Sequence, residues 1–320
     1  MKLGIIGTGK IVADLMETYD LLPIEKTYIL STPRSVEKAQ KIAEEHHFAG
    51  VYTSYEDLLQ SDIDTVYIAL PNHLHYDYAL QAINAHKHVI CEKPFVVNSH
   101  QFDALAKAAR QAHVFLLEAM TIHAMPAYQA LKKDLSSLGS IKIVSLNYSQ
   151  YSSRYDAFKE GTILPAFDVH KAGGALYDLN VYNIHFIIGL CGAPQKVNYL
   201  ANIAHGIDTS GILTMDYGSF KAVLIGAKDC AAPLMNTIQS DDGSILIDTP
   251  VSRMTHYNIK NQLKDYDEQH HAMYYEFKEF IRIIHENDEE KAEELLSYAE
   301  MEADILTQAR KSAGIIFDQD

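Results

Sequence analysis

The sequence predicts an α/β protein of two domains, a doubly wound parallel sheet over residues 1–120 and an α+β domain over residues 121–320. Three observations predict this organisation. A short apolar run ends at a glycine pair near the start, strand and helix patterns then alternate up to about Glu118, and closely spaced strand patterns follow. A chain of 320 residues is also long for a single core, which favours two domains.

The first element is the apolar run of residues 3–6, which predicts a buried parallel strand that leads through glycines into a helix. Gly7 allows the tight turn, Gly9 allows a phosphate group to approach the main chain, and the start of the helix attracts its negative charge. Val12 occupies the third small position of the pattern G-x-G-x-x-G/A, so a purely structural turn stays open as the alternative. The residues that we expect to bind a dinucleotide at this turn are Gly7, Thr8, Gly9, Lys10 and Ile11.

The other elements of the first domain follow from apolar runs and helix-start signals. Thr32 followed by Pro33 is typical of a helix start, and Ser54 with Asp57 forms a variant of the capping box. Strands are predicted at residues 27–31, 51–52, 64–70, 88–92 and 114–117. Helices are predicted after residue 32, after residue 54, at residues 76–85 and from residue 99.

The second domain carries strand patterns that are joined by short turns, which favours an antiparallel or mixed sheet. The turn signals are Gly218-Ser219 and Asp241-Asp242-Gly243. Strands are predicted at residues 141–151, 197–203, 212–217, 220–227, 237–240 and 244–247. Helices are predicted at residues 126–135, 175–188, 270–286 and about 290–317.

Composition excludes several functional classes. The net charge of −15 disfavours binding to nucleic acid or to an anionic membrane. No apolar run reaches the length of a membrane span, and the start of the chain does not resemble a secretion signal. Cys91, Cys191 and Cys230 are odd in number and lack metal-type spacing, so we expect reduced, buried thiols and a cytoplasmic location.

The end of the second strand predicts the choice of dinucleotide. An Asp or Glu at this position would hold a ribose 2′-hydroxyl, but Ser31, Thr32 and Arg34 stand there instead. We therefore expect NADP(H) to be preferred, with NAD(H) possible as a weaker cofactor. The alternative is that Thr32 only caps the next helix and that Arg34 is a solvated side chain.

Two further strand ends carry candidate residues, because ligands of doubly wound sheets bind beyond the carboxyl ends of the strands. Lys93, held between Glu92 and Pro94 just past a buried strand, is unusual for a solvated lysine and is a candidate for chemistry. His73 and His75 have no third ligand in view, so we expect no metal site. The residues expected to line the cofactor at these two ends are Leu70, Pro71, Asn72, His75, Glu92 and Lys93.

A glycine pair at residues 173–174 precedes the second candidate group. Asp178 and Tyr182 are four residues apart and share one face of the predicted helix, and His185 follows three residues later. The plain alternative is an aspartate near a helix N-terminus and a tyrosine packed in the core.

These motifs resemble the Gfo/Idh/MocA family of NAD(P)-dependent oxidoreductases over nearly the whole chain. The matching residues are Gly7-x-Gly9, Pro71-Asn72-x-x-His75, Glu92-Lys93-Pro94 and Gly173-Gly174-Ala175-Leu176-x-Asp178-x-x-x-Tyr182. The resemblance implies a Rossmann domain and a second domain with an open-faced, mainly antiparallel sheet. It also implies that Lys93 lies beside the nicotinamide and the substrate hydroxyl. Tyr182 is the implied acid/base, as in the branch of dimeric dihydrodiol dehydrogenases and NADP-linked xylose dehydrogenases, whereas inositol dehydrogenases carry His there.

One stretch departs from that branch. Its members usually have Glu-Ala-x-Trp-x-Arg-Phe-x-Pro after the sixth strand, whereas residues 118–126 have Thr121 and His123 in place of the Trp and the Arg. The resemblance implies that these positions lie on the substrate side. Because two of them differ here, the resemblance does not identify the substrate. The expected substrate-binding residues are His123, Asp178 and His185.

The residues and the resemblance together predict hydride transfer between NADP(H) and the carbinol or carbonyl carbon of a sugar, polyol or vicinal diol. Tyr182 would exchange the hydroxyl proton, and Lys93 would supply the charge that lowers the pKa of the phenol. Asp178 would bind a second hydroxyl or orient Lys93. Two alternatives stay open, a non-catalytic NAD(P)-binding regulator and the reduction of an imine or a conjugated double bond. The mixed outer face of the strand at 141–151 predicts a homodimer, or a dimer of dimers, built sheet to sheet.

Overall fold

The computed structural model describes residues 1–266 and 269–320, and the chain divides into two compact units. The first unit comprises Met1–Val96, His100–Thr121 and His270–Ala299, and the second comprises Val97–Ser99, Ile122–Gln269 and Glu300–Asp320. A division at residue 120, as predicted, would put residues 270–299 in the second domain, whereas they pack with the first. No helix among the described residues combines the length and the apolar composition that crossing a membrane requires.

The first unit is built on a parallel sheet in the order β3-β2-β1-β4-β5-β6, which confirms the predicted doubly wound sheet. Its strands are β1 (Lys2–Ile6), β2 (Lys26–Leu30), β3 (Gly50–Tyr52), β4 (Thr65–Ile68), β5 (His88–Glu92) and β6 (Leu116–Ala119). The strand order reverses between β1 and β4. This reversal opens a crevice at their carboxyl ends, where sheets of this kind bind ligands.

The helices that follow these strands turn an apolar side toward the sheet, as in the fully buried Leu15 and Ala39. They are α1 (Lys10–Tyr19), α2 (Val36–Glu45), α3 (Tyr55–Leu59), α4 (His75–Asn84) and α5 (Ser99–Ala112). Helix α3 begins as predicted, because the Ser54 hydroxyl accepts a hydrogen bond from the main-chain N–H of Asp57. The helix predicted after residue 32 begins with a 3₁₀ turn at Pro33–Ser35.

The second unit contains a sheet in the order β14-β13-β12-β11-β7-β10-β9-β8, in which β7 and β10 are parallel and the other neighbours are antiparallel. Its strands are β7 (Ile141–Ser149), β8 (Lys196–Ala204), β9 (Ile207–Asp216), β10 (Lys221–Ala227), β11 (Asn236–Ser240), β12 (Gly243–Ile247), β13 (His256–Ile259) and β14 (Gln262–Asp265). The predicted mainly antiparallel sheet is confirmed. The sequence did not predict β13 and β14. All four residues of β14 are exposed and lack an apolar alternation. Strand β13 does alternate, with Tyr257 and Ile259 buried, but it is only four residues long.

One face of this sheet carries large apolar side chains that remain exposed on β7, β8 and β9. The exposed fractions are 46% for Ile143, 63% for Leu200, 48% for Ile203 and 41% for Ile212. The other face is buried where helices pack against β7 and β10. The sheet is therefore open on one face within its unit.

The second unit's helices include a π-helical turn, Leu176–Asn180, where the sequence predicts a continuous α-helix. The α-helices are α6 (Pro126–Asp134), α7 (Tyr155–Lys159) and α8 (Val181–Cys191), and α8 continues directly from the π turn. Asn180 and Asn183 are fully buried, and their side-chain amides donate to the carbonyl oxygens of Leu224 and Ile225 in β10. The turn and the sheet are thereby fixed to each other.

A carboxylate holds the start of the π turn. Asp208 of β9 accepts hydrogen bonds from the main-chain N–H of Leu176 and from the hydroxyl of Tyr199, each at 2.7 Å. Gly174 has a φ of +100°, and a Cβ at this residue would clash with the Asp208 carboxylate. The second glycine of the pair is therefore required both by the backbone conformation and by the space.

Two long helices, α9 (Ala272–Glu286) and α10 (Glu289–Ser312), follow the second sheet along the chain. The apolar side of α9 joins the core of the first unit, where the ring of Phe277 meets the ring of Tyr67 edge-on at 5.0 Å. The sequence predicted α9 but not its partner, because an amphipathic period shows that a face is buried without showing what covers it.

Replacing Gly174 with alanine should destabilise the protein by about 2–4 kcal/mol, the sum of left-handed backbone strain and overpacking against Asp208. Urea unfolding followed by circular dichroism measures this loss. Gly206→Ala is the matched control, since Gly206 has a φ of +78° but open space around the added Cβ. It should lose only about 1 kcal/mol. Equal losses in the two variants would contradict the proposed contact with Asp208.

Candidate active site

The turn after β1 leaves main-chain groups accessible to an anion. Gly7 has a φ of +110°, and a Cβ there would lie 2.6 Å from the carbonyl oxygen of Ala69, so only glycine fits. At Gly9 an added Cβ would meet nothing within 4 Å, and this N-cap glycine has no side chain to cap the first N–H groups of α1, which begins at Lys10. Open space in front of an uncapped helix start fits the pyrophosphate of a dinucleotide.

The residues after β2 add polar groups beside this turn. The hydroxyl of Ser31 is buried and has no hydrogen-bond partner among the described residues. The hydroxyl of Thr32 lies 3.0 Å from that of Ser35 and does not cap the helix. Arg34 is exposed on the 3₁₀ turn. Because a buried hydroxyl without a partner is unfavourable, Ser31 fits a place that a ligand hydroxyl or phosphate completes.

A further cation, Lys38, reaches the glycine turn. The sequence did not predict this contact. Its ammonium, carried by α2, lies 2.5 Å from the carbonyl oxygen of Thr8. Lys10, Arg34 and Lys38 thus bring three basic side chains to the elements that follow β1 and β2. The four-residue spacing of Arg34 and Lys38 was a signal, but the sequence does not show that α2 lies alongside the turn.

The end of β4 is joined to the loop after β5 by His75. This side chain is fully buried, with Nδ1 2.9 Å from the carbonyl oxygen of Pro94 and Nε2 2.7 Å from that of Leu70. Burial lowers the pKa of His75, and the two carbonyl contacts oppose that effect. Since both ring nitrogens face main-chain oxygens, His75 connects the end of β4 to the loop after β5. Pro71 and Asn72 form the connection between Leu70 and α4.

Lys93 stands at the start of the loop that directly follows β5. The peptide bond between Lys93 and Pro94 is cis, and the main-chain N–H of Phe95 donates to the Glu118 carboxylate at 3.2 Å. The Lys93 side chain is half-buried at the carboxyl end of β5. The hydrogen bond between Phe95 and Glu118 holds the main chain of this loop two residues beyond the lysine.

A buried carboxyl group lies directly before this lysine. Glu92 accepts a hydrogen bond from the Tyr67 hydroxyl at 2.5 Å. Burial raises the pKa of Glu92 to about 7, against the lowering effects of Tyr67 and of Lys93. Burial also raises the pKa of Glu276, and the negative charges of Glu92 and Glu118 raise it further. Glu92 supports the loop from the protein interior, and perturbed carboxyl groups of this kind are typical of functional sites.

In the second unit, Tyr182 stands on the first turn of α8 and is half-buried, with its ring centroid 5.9 Å from that of Tyr148. Asp178 precedes it in the π turn, so the two do not lie on one regular α-helical face as their spacing predicted. The Asp178 carboxylate is 2.7 Å from the ammonium of Lys228, a residue that the sequence did not single out.

Two of the predicted substrate-side residues contact each other. Nε2 of His123 lies 3.1 Å from Nδ1 of His185, and both rings are buried in the second unit. One nitrogen must donate and the other accept. Their spacing of 62 positions gave no sign of this pairing.

Comparisons with known proteins agree with this architecture. Residues 1–120 match the Gfo/Idh/MocA oxidoreductase family, which is described as having an NAD-binding Rossmann fold. The chain is 36% identical to the scyllo-inositol 2-dehydrogenase (NADP(+)) IolU of Bacillus subtilis, over 100% of this chain and 99% of the relative. It is 27% identical to the trans-1,2-dihydrobenzene-1,2-diol dehydrogenase of Xenopus laevis, over 99% of each chain.

Solved structures show the same fold. The 3-ketoreductase KijD10 from Actinomadura kijaniata, in complex with TDP-benzene and NADP, superposes with a TM-score of 0.81 over 99% of each chain at 19% identity. The predicted resemblance is confirmed by this fold and by the full-length identity to IolU. The chain therefore belongs to the Gfo/Idh/MocA family of NAD-binding oxidoreductases.

Proposed function

We propose that the protein transfers a hydride between NADP(H) and a carbinol or carbonyl carbon of a polyol, sugar or vicinal diol. The observation that carries this proposal is the presence of a carboxylate, Asp178, and a phenol, Tyr182, on one continuous helical segment. A hydrogen-bond acceptor that lies four residues before a proton-transfer group suits a substrate with neighbouring hydroxyls. The full-length relative named for scyllo-inositol and NADP(+) supports the same class, so scyllo-inositol is the first substrate to test.

The proposed chemistry combines hydride transfer by the cofactor with proton transfer by the protein. The nicotinamide, when bound, would accept or donate the hydride. Tyr182 would take the hydroxyl proton during oxidation and return it during reduction. A phenol has a reference pKa of about 10, so it needs a nearby positive charge to act as a base near neutrality, and we assign that charge to Lys93. Asp178 would accept a hydrogen bond from the neighbouring hydroxyl, with His123 and His185 bordering the substrate.

The preference for NADP(H) rests on the residues after β2. No acid stands where a ribose 2′-hydroxyl would be held, and the buried hydroxyl of Ser31 lies near the exposed Arg34 along the chain. Lys38 adds a second cation next to the glycine turn. A 2′-phosphate would meet complementary charge there, whereas NAD(H) would lack this interaction and bind more weakly.

Removing Arg34 should weaken NADP(H) binding by about 1–3 kcal/mol and leave NAD(H) binding nearly unchanged, since only the 2′-phosphate gains from this charge. Removing Lys38, which lies against the glycine turn, should also weaken NADP(H) more than NAD(H). Fluorescence titration of Arg34→Ala and Lys38→Met with each cofactor measures the effect. Lys41→Met removes an exposed charge from the same helix and is the control. Equal affinity of the parent protein for NADP(H) and NAD(H) would refute the proposed preference.

Replacing Tyr182 with phenylalanine should lower the oxidation rate by roughly 10²–10⁴, because the ring remains but the acid/base group is lost. Lys93→Ala should lower the rate by a similar factor, and the double variant little further, since the two groups act as a unit. In the parent protein, alcohol oxidation should rise with pH and level off below about 10. Cofactor titration is the folding control for each variant. A Tyr182→Phe enzyme with near-parent turnover would rule out the phenol and leave His185, His170 or His123 as the proton-transfer group.

We also propose a homodimer, or a dimer of dimers, in the cytoplasm, without nucleic acid or membrane partners. The exposed apolar side chains of β7, β8 and β9 form a face suited to a second copy. The three cysteines are free thiols, which is in keeping with a reducing compartment. Of these, Cys91 is buried and Cys191 half-buried, whereas Cys230 is exposed, contrary to the expectation that all three are buried.

Light scattering at micromolar concentration should give at least the mass of a dimer. Leu200→Asp combined with Ile212→Asp should produce monomers, because charges would then face the apolar partner surface. Leu21→Asp is the control, since Leu21 is 55% exposed in the first unit. A monomeric parent protein would refute the assembly, and a double variant that stays dimeric would show that another surface holds it together.

A further inference from the structure

The least expected side chain near the candidate site is Lys228, which directly follows β10. Its side chain is only 3% exposed. The ammonium lies 2.7 Å from the Asp178 carboxylate, 2.5 Å from the carbonyl oxygen of Ala166, and 4.4 Å from the centre of the Phe167 ring. Lysine is almost never buried in this way unless it is paired, so these contacts define a specific place for its charge.

The position of Lys228 relative to Asp178 is set by the main chain on both sides. The N–H of Lys228 donates to the carbonyl oxygen of Thr209 at 2.8 Å. Two residues earlier, a Cβ on Gly226 would lie 2.9 Å from Cβ of Asn180, so β10 and the π turn approach as closely as a glycine allows. The lysine and the aspartate are therefore brought together by packed elements and do not meet through flexible loops.

Burial differs between the two partners of the ion pair. The Asp178 side chain is 39% exposed, while Lys228 is enclosed behind it. The same ammonium also favours the charged form of the buried Asp208, whose pKa is raised by burial. The enclosed ammonium of Lys228 thus stabilises the charge of two carboxylates. One is Asp208, which holds the start of the π turn, and the other is the partly exposed Asp178. An exposed surface ion pair would not fix an orientation in this manner.

We propose that Lys228 is a positioning residue that orients Asp178 to accept a hydrogen bond from the hydroxyl next to the reacting carbon. The protein would thereby select vicinal diols and polyols over alcohols with a single hydroxyl. Lys228 itself does not touch the substrate. This proposal rests on the proposed function, since it names the determinant of the substrate class at the same site.

The kinetic test uses Lys228→Met with scyllo-inositol as the polyol and cyclohexanol as the alcohol with one hydroxyl. We expect KM for scyllo-inositol to rise about 10- to 100-fold, because the acceptor is no longer held in place, while kcat changes much less. The ratio of kcat/KM between scyllo-inositol and cyclohexanol should fall by the same factor. Asp178→Asn should reproduce the rise in KM, and the double variant should add little to it.

The matched control is Lys260→Met, which removes an ion pair of similar length, 2.8 Å to Asp242, from an exposed turn of the same unit. It should leave KM unchanged. If Lys228→Met does not fold, as judged by circular dichroism, Lys228→Gln takes its place, because its amide still donates to Ala166. An unchanged KM in the folded variant would overturn the proposal.

Crystal structures of the parent and the Lys228→Met protein separate this proposal from the proposed function. We expect the Asp178 carboxylate to leave its position in the variant while Tyr182 keeps its place. An Asp178 that does not move would overturn the positioning role whatever the kinetics show. A parent protein that oxidises no polyol would refute the proposed function, and the displacement of Asp178 would still decide the role of Lys228.

Discussion

The hydrogen bond from the main chain of Leu176 to the Asp208 carboxylate is the constraint on which the second unit's candidate site depends. Burial disfavours the charged form of Asp208, and the donors around it, including the Tyr199 hydroxyl, make that form tolerable. The carboxylate can approach the chain only because Gly174 has no Cβ. The π turn begins at this point, and Asp178 is its third residue. A contact made by a distant strand therefore holds the start of a local motif.

Local patterns were sufficient to predict the parallel sheet, because each of its longer strands is an apolar run that ends at a turn signal. They were also sufficient for the glycine turn and for most of the second sheet. The π turn was not predictable, since the carboxylate that holds its first residue belongs to Asp208 on another strand. Lys38 and Lys228 were missed for a related reason. A lysine in a sequence looks the same whether water or a carboxylate surrounds its ammonium, and only the packing of α2 or of β10 distinguishes the two cases. His75 was recognised as part of a motif, but its two carbonyl partners belong to separate loops.

Both units bury ionisable groups close to the residues proposed for chemistry. In the first unit Glu92 lies inside the sheet, with a pKa near 7, directly before Lys93. In the second, Lys228 is enclosed behind Asp178. Buried charges seldom raise stability, because desolvation opposes their attraction. Their effect is on geometry. A buried charge needs hydrogen-bond or ion-pair partners in a few specific positions, so the side chains that it contacts are held in place. A small number of ligand-contacting residues is then sufficient, because buried residues hold their side chains in position.

The packing of α9 against the first sheet has a consequence for biosynthesis. The parallel sheet is complete once residue 119 has been made, yet the apolar surface around Tyr67 is covered only when Phe277 becomes available. During translation, one side of the nascent parallel sheet would stay uncovered while the second sheet is synthesised. Contacts between residues that are far apart in the sequence slow folding, and the apolar surface that stays exposed meanwhile can bind chaperones. A fragment that ends at residue 119 would therefore leave the part of this core that α9 covers exposed to solvent.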